Sequence, residues 1–178
     1  SMQQDKNLEL FSTKIFVFRF TNEEMEPLIN EVLLKKKQIK KRSLIYSNYG
    51  KVGDYFTDYR NPIQLHEYEK LMFSMINHFS TFNVNQYWTA FYNKNSVHDE
   101  HKHANFIKGA TNNFSSVLYL SAVGGTTFFS PNLTSMEDEY CVNSEVGKFV
   151  IFPSNLLHKG ENLYDGERII ISSNISIT

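Results

Sequence analysis

The spacing of apolar residues changes once along this chain, near residue 80, and that change limits the folds open to it. Before it, apolar positions recur at three- and four-residue steps. After it they fall in short runs separated by Gly, Asn, Pro and Ser, the pattern of half-buried strands. In the first part, Met25, Leu28, Ile29, Val32 and Leu33 predict a helix from Thr21 to about Lys37. Thr21 and Glu24 make a capping box, each side chain satisfying the backbone N–H of the other. The basic run KKKQIKKR from Lys35 to Arg42 is read as the solvated end of that helix, where cations meet the negative end of the dipole, in preference to a nucleic-acid patch. A second helix is predicted from about Pro62 to Phe79, with Leu65, Tyr68, Leu71, Met72, Met75, Ile76 and Phe79 on one face and His66 and His78 as isolated surface residues.

The strand runs come in order: YWTAFYN from Tyr87, FSSVLYL from Phe114, TTFFS from Thr126, EYCVN from Glu139, GKFVIFP from Gly147 and RIIISSNISI from Arg168, with KIFVFRF near the start as a further one. Helices first and strands after predict an α+β, mainly β fold, an antiparallel sandwich or barrel with two helices on one outer face. An apolar content of 41%, with 15 Phe and 10 Tyr, supplies a core for a single domain spanning 1–178.

A formal net charge of -1 and a pI near 6.6 provide no field that would steer the protein to nucleic acid or an anionic membrane. No apolar run approaches the roughly 20 residues of a membrane span. The single cysteine, Cys141, precludes an intrachain disulfide and sits in a β run with no base beside it, so it is no candidate nucleophile. With no secretory pattern at the start and Ser1 set aside as a tag remnant, a soluble, cytoplasmic protein is expected.

The stretch HDEHKH, His98 to His103, holds three of the six histidines around an acidic pair. If it is extended, alternation puts Asp99, His101 and His103 on one face and His98, Glu100 and Lys102 on the other. Two ligand pairs are then open, His101 with His103 or His98 with Glu100. Two side chains hold a metal weakly. His158 is the candidate third ligand, since GKFVIFPSNLLH delivers it just past the end of an apolar strand, and Arg168 comes ten residues later.

From Tyr87 to Ile177 the chain resembles the small phage and bacterial 2-oxoglutarate and iron(II)-dependent oxygenases, relatives of the prolyl hydroxylases. The resemblance is carried by YWTAFYNKNSVHDEHKH, SSVLYL, GGTTFFSP, VGKFVIFPSNLLH and ERIIISSNI, in that order, and the upstream SNYG at Ser47 and the helix after it look like the front half of that family. It implies a double-stranded β-helix, a jelly-roll barrel with iron at its open end, and the cofactors Fe(II), 2-oxoglutarate as cosubstrate, and dioxygen. By position, His101 and His103 fall on the first ligand motif and His158 on the last. Most relatives carry Asp or Glu in the second place. Three neutral imidazoles cancel none of the iron's charge, which leaves the site more electropositive and more dependent on the 2-oxoglutarate dianion, with Asp99 as a compensating carboxylate or a hydrogen-bond partner that orients an imidazole.

The resemblance further implies that Arg168 holds the far carboxylate of 2-oxoglutarate, against the alternative of a strand-start arginine in a surface ion pair. Tyr119 matches a position whose phenol bonds the same carboxylate, although packing alone explains a core tyrosine equally well. Thr127, Ser172 and Tyr92 are further pocket candidates, and Gly124–Gly125 is read as a tight turn. The implied reaction is hydroxylation coupled to decarboxylation of the cosubstrate to succinate. The expected partner is a small-molecule or peptide or protein substrate. Prolyl hydroxylation is suggested by the relatives, but no residue specifies it, and oligomeric state is not addressed by the sequence. Loops from Ser43 to Arg60 and Ala104 to Asn113 are expected to shape the mouth. The competing function is a cupin-like metal-binding module without turnover.

Overall fold

In the computed structural model, residues 2–6, 12–46, 55–101, 113–131 and 139–178 are described, with the backbone alone at 44–46 and 97–101. The elements are β1 (Phe16–Arg19), α1 (Asn22–Tyr46), β2 (Tyr55–Thr57), α2 (His66–Ser74) with a 3-10 turn at Met75–Asn77, β3 (Phe82–Tyr92), β4 (Ser96–His101), β5 (Phe114–Tyr119), β6 (Gly125–Phe129), β7 (Glu139–Asn143), β8 (Lys148–Pro153), β9 (His158–Asn162) and β10 (Arg168–Ile177). They form a six-stranded sheet in the order β1-β8-β5-β10-β3-β2 and a four-stranded sheet in the order β4-β9-β6-β7, with every pairing antiparallel. No helix among the described residues is long and apolar enough to cross a membrane.

Alternation along β10 separates two cores. Ile169, Ile171, Ile175 and Ile177 pack with Met25, Leu28 and Val32 of α1 and with Tyr68 and Met72 of α2, so both helices cover one face of the larger sheet. Ile170 on the other face joins Val117, Val150 and Phe152 against Phe128 and Val142 of the smaller sheet. Of the functional candidates, Tyr92, Tyr119, His158, Arg168 and Ser172 lie in this second layer, between the sheets.

The capping box forms as expected: the Thr21 N–H donates to Glu24 Oε1 at 3.0 Å and the Glu24 N–H to Thr21 Oγ1 at 3.1 Å. Helix α1, however, does not end at Lys37. It runs through the whole basic stretch to Tyr46, because Lys, Gln and Arg are good helix formers and Ile39, fully buried, extends the apolar stripe. The cations are used along the way: Lys36 pairs with Glu167 at 2.8 Å, Lys40 lies over the Phe56 ring, and Arg42 donates to the Asn61 carbonyl at 2.8 Å.

Helix α2 is shorter than predicted at both ends. Leu65 is extended (φ -120, ψ 100) and offers no side-chain cap. Glu31 of α1 caps it instead, accepting from the N–H groups of His66 at 3.1 Å and Glu67 at 3.0 Å while pairing with Lys35 at 3.0 Å. At the other end the 3-10 turn takes over at Met75, leaving Ile76 exposed. His66 and His78 are both exposed, as expected. Partial burial pulls the Glu31 carboxyl upward, but the Glu67 N–H, Lys35 and the His66 N–H outweigh it and hold it below its ordinary 4.5. Replacement of Glu31 by Gln should therefore cost about 1 kcal/mol, the scale of a lost helix cap. The sign comes from a lowered folded value: the difference between the two proteins is fully present above pH 4.5 and fades as pH falls through the Glu31 folded pKa, in urea unfolding at a series of pH values.

Strand β3 begins at Phe82 rather than Tyr87. Strands β2, β4 and β9 have no counterpart among the predicted runs, HDEHKH being considered only as a conditional extension, and β9 is the one that builds the site: HKGEN carries no apolar residue to betray it.

Candidate functional site

Strand β9 brings the two histidine-bearing segments together. Ser96, Val97 and His98 of β4 pair with Asn162, Glu161 and Gly160, and His101 pairs with His158. Three residues of β4 thus face two of β9, a bulge between His98 and His101, so the simple alternation assumed for HDEHKH does not run through it. The backbone of His101 lies directly opposite that of His158. The side chains of His98, Asp99, Glu100 and His101, all of His103, the segment SNYG and most of the loop from Ala104 to Asn113 lie outside the described residues, and the choice between the HxH and HxE pairs lies there with them.

His158 is 4% exposed, with its ring edge-on to Phe152 at 4.7 Å. Its Nδ1 donates to the Leu156 carbonyl at 2.9 Å. A carbonyl only accepts, so Nδ1 carries the proton and Nε2 carries the lone pair that a metal ion uses.

Arg168 opens β10 and is completely buried. Its Nη2 donates to Thr126 Oγ1 at 3.0 Å, and its guanidinium lies 4.4 Å from the Tyr92 ring centroid and 5.7 Å from that of Tyr119. Among the described residues, Nε and Nη1 have no hydrogen-bond partner and no carboxylate pairs with the guanidinium. Its complete burial sets aside a surface ion pair as its explanation. A buried cation without a counter-ion is costly. The neighbouring phenols do not neutralise it. Burial pushes Tyr92 and Tyr119 upward, the Arg168 charge pulls each back only in part, and both stay protonated. Tyr119 donates to Thr126 Oγ1 at 2.7 Å. With two donors already on its oxygen, Thr126 has its own hydroxyl proton left to give.

A cleft of about 370 Å³, its open mouth included, is lined by His158, Gly160, Thr126, Tyr92, Arg168 and Ser172, with Tyr55 and Trp88 on the β2–β3 side. Of the sequence candidates, His158, Arg168, Tyr92 and Ser172 meet here. Tyr119 sits behind the wall, against Thr126. Thr127 does not line this cleft. Thr126 pairs with Gly160 across the sheet and shares its inner face, which turns Thr127, the partner of Lys159 and Cys141, to the other side. The cleft threonine is Thr126.

Thr126, Gly160, Tyr55 and Trp88 are not singled out by sequence reasoning. Gly160 has one available signal, its place two residues after His158. A Cβ there would lie 2.9 Å from Arg168 Nη1 and 3.1 Å from the Tyr92 hydroxyl. Gly124 has the positive φ expected of a turn (79°), but it also makes room for the arginine, since a Cβ would lie 2.7 Å from Arg168 Cδ. Gly125 begins β6 instead of completing the turn.

No family model matches the sequence, and no curated protein matches it significantly. Solved structures do match the fold. A prolyl-4-hydroxylase from Pseudomonas putida superimposes with a TM-score of 0.65 at 16% identity, covering 93% of each chain. The viral collagen prolyl hydroxylase from Paramecium bursaria Chlorella virus-1, in its 2-oxoglutarate complex, gives 0.62 at 17% identity over 92% of this chain and 96% of that one. HygX from Streptomyces hygroscopicus, with nickel and 2-oxoglutarate bound, gives 0.63 at 12% identity over 93% and 83%. At such identities the likeness concerns the fold alone: the chain has the fold of the prolyl-4-hydroxylases and other 2-oxoglutarate and iron(II) oxygenases.

Proposed function

We propose that this chain is an iron(II)- and 2-oxoglutarate-dependent dioxygenase, a hydroxylase of the prolyl-hydroxylase type built as a single double-stranded β-helix domain. Arg168 is the observation that carries the reading: a fully buried guanidinium, two of its nitrogens without partners among the described residues, opens onto the cleft that His158 also lines. Such a group is suited to receive an anionic ligand.

The residues fit the cofactors. His158 would hold the metal together with His101 and His103, the His98 and Glu100 pair being the alternative. Arg168 Nη1 and the Thr126 hydroxyl would donate to the far carboxylate of 2-oxoglutarate. Spacing supports this pairing, because His158 and Gly160 are two strand residues apart, about 6.6 Å, and Arg168 Nη1 lies against Gly160. A five-carbon diacid chelating at one end and ion-paired at the other spans that reach. When bound, the iron–2-oxo acid pair activates dioxygen, one oxygen atom entering a substrate C–H bond and the other the succinate left after loss of carbon dioxide. The protein fixes the His158 tautomer through Leu156, orients the cosubstrate through Arg168 and Thr126, and excludes water with Phe128 and Phe152.

Release of succinate from 2-oxoglutarate, dependent on added iron(II), is the direct test. If 2-oxoglutarate does not bind the metal-loaded protein, the chain is better described as a cupin-like metal-binding module without turnover. A substitution separates the two ends of the cleft. Gly160→Ala places a methyl against Arg168 Nη1 and should raise the 2-oxoglutarate Kd about tenfold or more, the scale of overpacking a closed site. Metal affinity should be unchanged, both being read by calorimetry on the nickel-loaded protein.

A further inference from the structure

Helix α1 buries Met25, Leu28, Val32 and Ile39 against the larger sheet, and its other side carries a second stripe at helical spacing: Glu23, Glu26, Asn30, Leu34, Lys37 and Lys41, all of them exposed. The stripe is ordered by chemistry. It is acidic toward the start of the helix and basic toward the end, and between the charges stands Leu34, 85% exposed. Beside it Leu33, whose spacing predicts a core position, is 49% exposed. At 1.5 Å per residue the stripe runs about 27 Å from Glu23 to Lys41.

The fold of one chain does not account for this order. The cations that serve the fold are others: Lys35 pairs with Glu31, Lys36 with Glu167, Lys40 lies over Phe56 and Arg42 holds the Asn61 carbonyl. Among the described residues, Glu23, Glu26, Lys37 and Lys41 form no ion pair. The helix dipole favours anions at the start and cations at the end, but only within the terminal turns. Glu23 lies in the first turn, whereas the last turn holds no basic residue and Lys37 and Lys41 come before it. An exposed leucine alone needs no explanation. A leucine pair set between opposite charges has the layout of an interface, apolar at the centre and polar at the rim.

We infer that this face is where two copies of the chain meet, their α1 helices antiparallel about a two-fold axis at the level of Val32. Glu23 then lies opposite Lys41 of the second copy and Glu26 beside its Lys37, with the leucines of both copies in the middle. The axis makes every contact twice. A parallel arrangement would set carboxylate on carboxylate. An anionic membrane or a nucleic acid would attract Lys37 and Lys41 but repel Glu23 and Glu26, whereas a second copy complements both halves. Because α1 covers the face of the larger sheet away from the cleft, both clefts stay open in the pair.

Sedimentation velocity from about 10 μM to about 1 mM should show a reversible dimer with a Kd on the order of 100 μM, the weak end for an interface of one helix face per copy. Raising salt from about 0.1 M to about 1 M shortens the Debye length from about 10 Å to about 3 Å and should weaken the dimer at least about threefold. Glu23→Lys with Glu26→Lys, and separately Lys37→Glu with Lys41→Glu, make the charge contacts repulsive and should each weaken self-association at least about tenfold. Leu34→Glu, at the centre of the stripe, should weaken it comparably. Mixed in equal amounts, the two charge-reversed proteins should pair with each other at least as tightly as the native chain pairs with itself, a recovery that misfolding cannot imitate. A native chain that stays monomeric over this range, double variants that associate as the native chain does, or folded variants that fail to pair when mixed overturns the inference. Binding of a monomeric native chain to phosphatidylserine vesicles overturns it as well, and gives the face to a membrane surface.

Discussion

Replacing Arg168 with methionine is expected to remove 2-oxoglutarate binding while leaving the ligand-free protein as stable as before, or more so. The two effects have one cause. Arg168 is buried with two nitrogens unpaired and no carboxylate partner among the described residues, and an apolar side chain of similar length removes the cost of burying that charge. Thr126 still has Tyr119 as a donor, so no buried acceptor is orphaned. The ligand loses a charge-assisted contact of about 2–5 kcal/mol, at least about 30-fold in Kd. Thermal unfolding separates the outcomes. Saturating 2-oxoglutarate at about 100 times its Kd should stabilise the metal-loaded native protein by about 2.7 kcal/mol and leave the variant unmoved. A variant that is much less stable without ligand, yet binds 2-oxoglutarate normally, would make Arg168 a structural residue.

Arg168 is legible in the sequence because β10 advertises itself. Isoleucines at alternate positions mark one buried face, and the polar series Arg168, Ser172 and Asn174 marks the other as something besides core. Strand β9 shows the opposite case. HKGEN is a strand because it pairs on both sides, with β4 and β6, and neither partner can be read from its own five residues. That pairing, which sets His101 opposite His158, is therefore reachable in the sequence only by way of the family resemblance. The sequence reading sets the pocket threonine one position too late for a simple reason: side chains on a strand repeat every two residues, so the step from Thr126 to Thr127 exchanges the cleft for the outer face. The far end of α1 escapes the sequence because a lysine run looks like a helix end until Glu167, Phe56 and Asn61 are seen to receive its side chains. Glu31 capping α2 from a neighbouring helix leaves no local trace at all.

The metal end carries the second large effect. His158→Ala should abolish iron binding, since it removes the proposed ligand, whose tautomer the Leu156 carbonyl fixes. The loss should exceed the roughly 10- to 100-fold caused by removal of a group supporting a ligand. Because the His158 ring fills space beside Phe152 and Phe128, alanine also leaves a void, and His158→Gln serves as the companion variant that keeps bulk and a polar tip. Both should lose iron, with circular dichroism unchanged in the glutamine variant. Iron affinity surviving in both would remove His158 from the site. The remaining ligands are resolved by the same titration applied to His101→Ala, His103→Ala and Glu100→Gln. The HxH arrangement loses iron in the first two and keeps it in the third. Loss in the Glu100 variant alone would transfer the site to the His98 and Glu100 pair and return a carboxylate to the metal. The charge on the iron would then be partly cancelled by the protein, and 2-oxoglutarate binding would depend less on the attraction of a dianion to an uncompensated cation and more on Arg168.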